Sequence, residues 1–291
     1  MIWILANPTA GSGRARRFAE KAALLLQDHG QSIELHYTHQ KGHGRQIAEQ
    51  AVSEEVPILA VCGGDGTVGE ALPALVGHTT ALGLLPFGTA NDLARALGIP
   101  RDLRRAVRCL VEGQSTPIDL GRMGDRYFST VAAFGFDAEV SAAMAAGRAP
   151  FSGTPGYIAQ SLRHLRHYQP PIAQLRGAFG QLEQPVFLVA SGNTRSYGGG
   201  MCIAPHATPH DALFDVCIVE PLSYLQALAL LPQVFSGRHI RHPAVRVERT
   251  HFLEIGGEAG RLLFADGEYC GQTPLVLEVA PAAVRAILPA L

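Results

Sequence analysis

The sequence predicts an α/β domain with a parallel sheet, followed by a mostly antiparallel β domain of the sandwich or barrel type. Strand and helix patterns alternate through the first 113 residues, which is typical of a parallel sheet with helices on both faces. After that point short strand patterns separated by turn residues predominate. We therefore expect one domain at 1–115 and a second at 116–291, with the last residues returning to the first domain.

Hydrophobic periodicity defines the elements of the first domain. Residues 2–7 form an apolar run that predicts a buried strand, and residues 14–27 carry apolar side chains at helical spacing. The same reasoning predicts strands at 32–37, 58–62 and 81–85 and helices at 45–53, 69–76, 91–97 and 102–112.

Polar loops follow four of these predicted strands. They contain glycine, threonine, asparagine or aspartate and occupy residues 7–13, 38–44, 63–67 and 87–92. The carboxyl ends of parallel strands meet at one sheet edge, and ligands bind there. We therefore expect these loops to converge on a binding site.

The second domain is predicted to have many short strands and few helices. Strands are predicted at 117–122, 127–132, 186–191, 213–219, 245–255, 262–265 and 275–279, and helices at 157–168 and 223–235. The apolar stretch at 222–235 is interrupted by Ser223, Gln226 and Pro232 and is too short to span a bilayer. Any membrane contact is therefore expected to be peripheral.

Composition indicates an ordinary globular chain. The net charge is −1 and the pI is about 6.9, so the global charge of a nucleic-acid-binding protein is absent. Five cysteines without CxxC spacing indicate reduced thiols, and no basic, secretory-type segment follows Met1. We expect a cytoplasmic protein without a nucleic-acid partner, and a homodimer is compatible with the sequence.

The most informative segment is VCGGDGTVGE, residues 61–70, where an apolar strand runs into a glycine-rich turn. Glycines allow backbone N–H groups to approach phosphate oxygens, and the following helix directs its positive end at them. Asp65 would repel a polyphosphate unless a divalent cation lies between them or the carboxylate handles a proton. The segment therefore indicates a kinase-like nucleotide site.

The turn is also compatible with two other interpretations. Gly64, Gly66 and Gly69 match the dinucleotide pattern GxGxxG, but no acidic residue follows about 20 positions later, where the chain has Leu84 and Leu85. An ordinary tight turn is the second alternative, because glycine and aspartate are common in turns.

A second segment, LPFGTANDLAR at residues 85–95, contains Thr89, Asn91 and Asp92 between a strand and a helix. Asparagine and aspartate are good helix N-caps, so capping alone would explain them. Their predicted position at the same sheet edge as the GGDG turn favours a shared site.

Together these segments resemble the diacylglycerol kinase catalytic superfamily, which includes bacterial lipid kinases and sphingosine kinases. The resemblance covers nearly the whole chain. Its motifs are NPTAG at 7–11, Thr38 with Gly42 and His43, GGDGTVGE at 63–70, PFGTANDLAR at 86–95, IDLG at 118–121, Gly192–Asn193, Ala204–Pro205 and Asp266–Gly267–Glu268.

The resemblance implies an ATP- and Mg²⁺-dependent kinase with a nucleotide cleft between the two domains. It implies that Asp266 and Asp65 are catalytic, with Asp266 as proton acceptor. The ATP-binding residues that it implies are Asn7, Thr38, Gly64, Asp65, Gly66, Thr67, Val68, Gly69, Glu70, Thr89, Asn91 and Glu268.

The Asp266 assignment also has a local argument. A predicted strand ends at Ala265, Gly267 permits a tight turn, and Asp266 and Glu268 flank that glycine. A plain hairpin turn explains the same residues. An aspartate is a weak base, so it would act by positioning a hydroxyl and accepting its proton late.

Residues 205–215, PHATPHDALFD, resemble a cation loop of the bacterial enzymes. The resemblance implies that Asp211, with the carbonyl groups of Thr208 and Leu213, holds Mg²⁺ through oxygen ligands. The sequence departs from the usual Asp-Asp-Gly at His210 and Ala212, and without glycine a left-handed backbone is less accessible. We interpret His206 and His210, and the group His36, His39 and His43, as loop polarity and not as zinc ligands.

The residues that would bind the lipid substrate are marked by weaker sequence signals. Basic residues that could contact anionic headgroups are Arg163, His164, Arg166 and His167, and Arg238, Arg241, Arg246 and Arg249. A solvated basic face is the alternative. Acyl chains are expected in the cleft, against Phe134, Phe136 and the helix at 157–165.

The sequence thus predicts a kinase that transfers the γ-phosphate of ATP to a lipid hydroxyl at a membrane surface, with diacylglycerol or a relative as acceptor. An NAD kinase is the alternative enzyme, because it also uses a GGDG turn. A non-catalytic nucleotide- or lipid-binding regulator is the alternative from another class.

Overall fold

The computed structural model describes residues 1–10, 14–148 and 153–290. Its contacts divide the chain into two compact units. The first unit contains Met1–Asp119 and the C-terminal segment from Pro281, and the second contains Leu120–Ala280.

The first unit is a parallel sheet with helices packed on it. The sheet order is β2–β1–β3–β4–β16, with β1 (Ile2–Ala6), β2 (Ile33–Tyr37), β3 (Ile58–Gly63), β4 (Ala81–Pro86) and the end of β16 (Leu275–Leu288). The helices are α1 (Ala15–Asp28), α2 (His43–Ser53), α3 (Asp65–Leu75), α4 (Asp92–Ala96) and α5 (Leu103–Glu112). Ile2 and Ile4 pack with Leu26 and Leu110 in one core, while Trp3 is buried from the opposite side of the strand. The predicted α/β domain is confirmed.

The second unit contains two antiparallel sheets. One has the order β12–β11–β10–β7–β14–β15, formed by β7 (Val131–Gly135), β10 (Leu188–Gly192), β11 (Phe214–Val219), β12 (Val245–Thr250), β14 (Leu262–Ala265) and β15 (Glu268–Gln272). In the other, the start of β16 pairs with β13 (Phe252–Gly257), followed by β8 (Ile172–Gly177) and β9 (Gly180–Pro185). Phe134 and Phe214 of the first sheet pack with Leu175, Leu253 and Leu277 of the second. The predicted antiparallel sandwich is confirmed.

The remaining elements are β5 (Gln114–Met123), β6 (Arg126–Phe128), α6 (Phe136–Ala145), α7 (Gly153–Leu165), α8 (Tyr224–Ser236) and a 3-10 helix at Arg238–Arg241. Helices α6, α7 and α8 contribute to a core separate from that between the sheets; it contains Val140, Tyr157 and Leu230.

Several predicted bounds in the second unit are wrong. The strand predicted at 127–132 is interrupted at Ser129 and Thr130, because their backbone N–H groups bond to a side chain and not to a neighbouring strand. The segment 245–255 forms two strands in different sheets, and the strand predicted at 275–279 continues to residue 288.

The sequence did not predict α6, β8, β9, β15 or the 3-10 helix at Arg238–Arg241. Buried residues of α6 include Phe136, Ala138 and Val140 and are not confined to one stripe, so a helical period is weak. In β8 the buried residues Ala173 and Leu175 alternate with exposed ones, which was a usable strand signal.

Candidate functional site

The glycine-rich segment forms the junction between β3 and α3. The helix begins at Asp65, four residues earlier than the predicted start at Gly69, so Asp65, Gly66 and Thr67 lie in its first turn. The N–H groups of a first turn have no partner within the helix and carry its positive dipole end. This junction can therefore receive an anionic group.

Two of the four predicted loops, at residues 63–67 and 87–92, pack directly against each other. A Cβ atom added at Gly88 would lie 2.4 Å from the Cα atom of Gly64. The N–H group of Phe87 also donates to the carbonyl group of Gly63 at 2.9 Å. No side chain larger than hydrogen fits at Gly88, so glycine is required here by close approach. The predicted meeting of residues 63–67 and 87–92 is observed.

Asp65 links these loops. Its Oδ1 atom accepts a hydrogen bond from the backbone N–H group of Asp92 at 2.6 Å. The Asp92 carboxylate is nearly buried and pairs with Arg95 at 2.8 Å. A carboxylate can accept about four hydrogen bonds. Among the described residues this is the one hydrogen bond to the Asp65 side chain, so acceptor capacity remains for a cation or a hydroxyl.

Asn91 holds the turn that contains Thr89. Its side chain accepts a hydrogen bond from the N–H group of Gly88 at 2.8 Å and donates to the carbonyl group of the same residue at 2.7 Å. Asn91 precedes α4 in the left-handed region, with φ 52°, and makes no side-chain capping bond. The capping alternative is therefore wrong for its side chain, and a direct contact with ATP stays a prediction.

Glu70 connects α3 with α2. Its carboxylate accepts hydrogen bonds from the N–H groups of Gly42 at 2.9 Å and Gly44 at 3.0 Å. Those donors belong to the N-terminus of α2, so Glu70 caps a helix distant in sequence and complements its dipole. The sequence missed this role.

Three further predicted ATP contacts follow strands β1, β2 and β4 of the first unit, whereas Glu268 lies in the second unit. Asn7 follows β1, and its Oδ1 atom accepts from the N–H and hydroxyl groups of Thr9 at 3.0 and 2.7 Å. Residues 11–13 of that loop lie outside the described residues. Thr38 is nearly buried after β2, and the carbonyl group of Thr89 accepts a hydrogen bond from Arg101 at 3.1 Å.

Asp266 lies in the turn between β14 and β15, with φ 50°. Oδ2 accepts from the backbone N–H and hydroxyl groups of Ser129 at 2.6 and 2.9 Å, and Oδ1 accepts from the corresponding groups of Thr130 at 2.9 and 2.5 Å. Both oxygens therefore use their acceptor capacity within the second unit. Glu268 is exposed at the start of β15.

Ser129 and Thr130 hold Asp266, a role that the sequence pattern does not indicate. The pattern predicts them inside a strand, whereas they interrupt it. The adjacent hydroxyl residues before an apolar strand were the available signal, but nothing local connects them to a residue 137 positions away.

The backbone of the predicted cation loop is left-handed at Ala212, although this residue is not glycine. Ala212 has φ 57°, the left-handed conformation for which glycine is usual. The Asp211 carboxylate accepts from the N–H group of Leu213 at 3.1 Å and pairs with Arg249, which also contacts Asp215 at 3.1 Å.

Asp215 supplies a second acidic group beside this loop. Its Oδ2 atom is buried without a hydrogen-bond partner among the described residues, and burial raises the pKa of Asp215 despite Arg249. Within the described ranges, no three His, Cys, Asp or Glu side chains cluster as metal ligands. Any cation here would therefore depend on backbone carbonyl oxygens such as those of Thr208 and Leu213.

An apolar cavity of about 70 Å³ lies among the helices of the second unit. Side chains from α7 and α8 line it, including Leu162, Leu165, Leu230 and Val234. Phe136 also lines the cavity, whereas Phe134 packs in the core between the sheets, so of the two phenylalanines expected to contact an acyl chain only Phe136 borders this cavity.

One carboxyl group lies in this apolar lining. Asp137 accepts hydrogen bonds from the hydroxyl groups of Tyr157 and Tyr197, the latter at 2.6 Å. Its burial raises the pKa of Asp137 to about 6. The cavity therefore combines an apolar body with one polar point.

Comparisons with known proteins match both units. The family model of the diacylglycerol kinase catalytic domain matches residues 1–123. The family model of the YegS C-terminal NAD kinase beta sandwich-like domain matches residues 130–288. A diacylglycerol kinase of Mycobacterium tuberculosis is 32% identical over 99% of this chain and 95% of its own length. The chain belongs to the diacylglycerol kinase family.

A further relative and two solved structures are similar to this chain over most of its length. A diacylglycerol kinase of Staphylococcus carnosus is 29% identical over 93% of this chain and 89% of its own length. The crystal structure of a diacylglycerol kinase from Bacillus anthracis Sterne is 18% identical, covers 99% of this chain and 96% of its own, and has a TM-score of 0.77. A second B. anthracis structure reaches a TM-score of 0.84 at 21% identity, covering 99% and 94%. These structures establish the fold.

Membership of this family makes the chain a kinase that uses ATP, as the resemblance predicted. No helix in the described part of the chain has both the length and the apolar character needed to cross a membrane.

Proposed function

We propose that this kinase transfers the γ-phosphate of ATP to the hydroxyl group of a lipid, a diacylglycerol or a close relative. The apolar cavity of the second unit is the observation that carries the proposal. NAD, the acceptor of the alternative enzyme, is highly polar and charged, and a lining of leucine, valine and phenylalanine would not compensate its desolvation. The names of the relatives support the same acceptor.

In this proposal the first unit holds the nucleotide. The α3 N-terminus and residues 64–70 would receive the phosphate groups, with Asn7, Thr38, Thr89 and Asn91 at the same strand ends. Glu70 would act indirectly, because its carboxylate is engaged in capping α2. Asp65 retains acceptor capacity and lies in the first turn of α3, so it would position a cation at the phosphate groups and would handle the proton only if Asp266 is structural.

Asp266 is proposed as the proton acceptor for the lipid hydroxyl group, with Glu268 beside it. Its hydrogen bonds from Ser129 and Thr130 fix the orientation of the carboxylate. They also mean that one donor has to be released, or shared, before a hydroxyl proton is accepted. Asp266 would therefore act late in the transfer.

Magnesium is proposed as the cofactor. Asp211, with the carbonyl oxygens of Thr208 and Leu213, offers the hard oxygen ligands that Mg²⁺ prefers, and the unpartnered Asp215 oxygen adds negative charge nearby. A separate Mg²⁺ ion that accompanies ATP would neutralise phosphate charge. Arg249 competes for Asp211 and would have to move or share the carboxylate.

The cation loop can be tested by melting. Asp211→Ala should lower activity and abolish the rise of Tm on addition of Mg²⁺, because an ion bound by the native state stabilises it by mass action. Arg249→Gln, which releases Asp211, should keep or increase the Mg²⁺ response. Equal Mg²⁺ responses in wild type and Asp211→Ala would contradict the loop assignment.

The function is tested with radiolabelled ATP and a panel of diacylglycerol, monoacylglycerol, a long-chain amino alcohol and NAD. We expect label in a lipid and none in NAD. Ala227→Phe, which fills the cavity, should raise the lipid KM with little change in the ATP KM, whereas Ala145→Phe at the exposed end of α6 should not. Label only in NAD would overturn the proposal.

A further inference from the structure

Helix α8 has an outer face that the fold does not cover. Its sequence, YLQALALLPQVFS, has no charged side chain, and only Ala227 and Leu230 are buried. Leu225 is 74% exposed, and Tyr224 and Phe235 are also exposed. A surface helix normally carries charged or polar side chains on its outer face, and the outer face of α8 carries mainly apolar ones.

Basic side chains adjoin this face. Gly237 ends α8, and the 3-10 helix that follows directly carries the exposed residues Arg238 and Arg241. Arg246 and Arg249, which the sequence grouped with them, differ because they pair with Glu248 and with Asp211 and Asp215. One exposed acid, Glu220, precedes the helix.

The inner face of the same helix lines the apolar cavity. Leu230, Leu231 and Val234 contribute to it, together with Leu162 of α7, which is itself partly exposed. An apolar surface and an apolar cavity thus lie on the two sides of one helix.

We propose that the outer face of α8, with Arg238 and Arg241, docks the protein on an anionic lipid bilayer. Apolar side chains on one helix face, flanked by arginines, bind membrane interfaces by burial of the apolar groups and by attraction to anionic headgroups. A lipid substrate would then enter the cavity from the docked face of α8, and this second step rests on the proposed lipid kinase function. The docking itself does not.

Vesicle binding of the full chain tests the docking. Phosphatidylcholine vesicles with and without an equal share of phosphatidylglycerol are sedimented with wild type and variants. Leu225→Glu should lower binding about tenfold to a hundredfold, from the lost burial of one leucine. The matched control is Leu24→Glu on α1, where the leucine is 63% exposed, and its binding should equal that of wild type.

The electrostatic part has its own control. Arg238→Gln with Arg241→Gln should lower binding to phosphatidylglycerol vesicles about fivefold for each arginine, and high salt should remove the difference. Arg104→Gln with Arg108→Gln, on the exposed side of α5, should leave binding unchanged. Equal losses in both pairs would indicate general attraction and overturn the assignment to α8.

Insertion is measured directly with Phe235→Trp. The chain has one tryptophan, Trp3, which is buried, so it provides a constant background. Brominated lipids should quench the Phe235→Trp variant and not the wild type. Absence of quenching in bound protein, or conversion of a wild-type dimer to a monomer by Leu225→Glu without any loss of vesicle binding, would overturn the proposal in favour of a self-association face.

Activity separates this inference from the proposed function. Leu225→Glu should lose activity on vesicle-borne diacylglycerol but keep it on a dispersed short-chain diacylglycerol. If wild type phosphorylates neither lipid, the proposed function fails while vesicle binding still decides the docking. If the wild type and Leu225→Glu phosphorylate vesicle-borne diacylglycerol equally, the docking proposal fails and the proposed function stands.

Discussion

Asp65 in the first unit and Asp266 in the second are the two carboxylates that the sequence predicts to be catalytic, and their surroundings differ. Asp65 opens helix α3, and among the described residues its side chain accepts one hydrogen bond, from Asp92. Asp266 occupies a turn and accepts four, from Ser129 and Thr130.

The difference concerns available acceptor capacity. An aspartate with free lone pairs at a helix N-terminus can bind a cation or a proton at little structural cost. An aspartate that satisfies several donors stabilises its surroundings, and any proton transfer to it competes with those donors. The following predictions test whether this distinction separates chemistry from support.

The largest effect is expected at Asp65. Asp65→Asn should lower kcat about 10⁴-fold, the upper end of the range for loss of a positioned catalytic carboxylate, with little change in Tm. Asp102→Asn is the matched control, because Asp102 also accepts a backbone hydrogen bond at a helix start, from Arg105 at 3.0 Å, in the same unit. The measurements are kcat and Tm of both variants. A kcat of Asp65→Asn near that of the wild type would mean that Asp65 only supports the turn.

At Asp266 we expect a mixed effect. Asp266→Asn should lower kcat about 10²-fold, with unchanged ATP affinity. It should also cost about 1–3 kcal/mol of stability, because an amide group cannot accept all four hydrogen bonds. The measurements are kcat, nucleotide binding and unfolding.

The control keeps the carboxylate and removes the hydroxyl donors. Ser129→Ala with Thr130→Val should lose stability and keep kcat within a few-fold. If Asp266→Asn and this pair both lose only stability, Asp266 is a structural clamp and the proton-acceptor role passes to Asp65.

Asp137 extends the comparison to a carboxyl group in apolar surroundings. Burial raises its pKa from 3.8 to about 6, so the folded state binds this proton more tightly than the unfolded chain. That stabilisation is complete below about pH 4 and is lost as pH rises through about 6, with a total on the order of 3 kcal/mol.

Chemical unfolding across this range tests the sign. Asp137→Asn should gain stability relative to wild type between pH 4 and pH 7, whereas the exposed Asp125→Asn should run parallel to wild type. A constant difference between Asp137→Asn and wild type would mean that Asp137 stays ionised when folded.

The smallest effect is expected at Glu70, whose carboxylate supports α2. Glu70→Gln should cost about 1 kcal/mol of stability, typical of a lost helix cap. Glu49→Gln, which breaks an exposed pair with Arg45 on α2, should cost less than about 0.5 kcal/mol. A loss of nucleotide binding by Glu70→Gln that exceeds its loss of stability would instead favour a direct ATP contact.

Much of the first unit could be predicted because its signals are local. The strands β1, β3 and β4 are apolar runs, the helices α1, α2 and α5 each have a periodic apolar face, and the glycine required at position 88 stands in the PFGTAND motif. The start of α3 was misplaced because Asp65, Gly66 and Thr67 look like a turn, whereas the N-cap position is Gly64.

The second unit was predicted less well. Strand 245–255 looked continuous because nothing in its composition marks the change of sheet at His251, and α6 lacked a polar face. Both outcomes depend on which neighbours are available for pairing and burial.

By itself, the sequence determined the order of the two fold types, the glycine-rich turns and the family, because periodicity and motif spacing are properties of short segments. Tertiary structure alone decided what each carboxylate faces. Glu70 meets the N-terminus of α2, Asp266 meets Ser129 and Thr130, and Asp137 lies in an apolar cavity. These partners lie 20 to 137 residues away in sequence. The physical reason is that a carboxylate's chemistry is set by the donors and the dielectric around it, and folding alone assembles both.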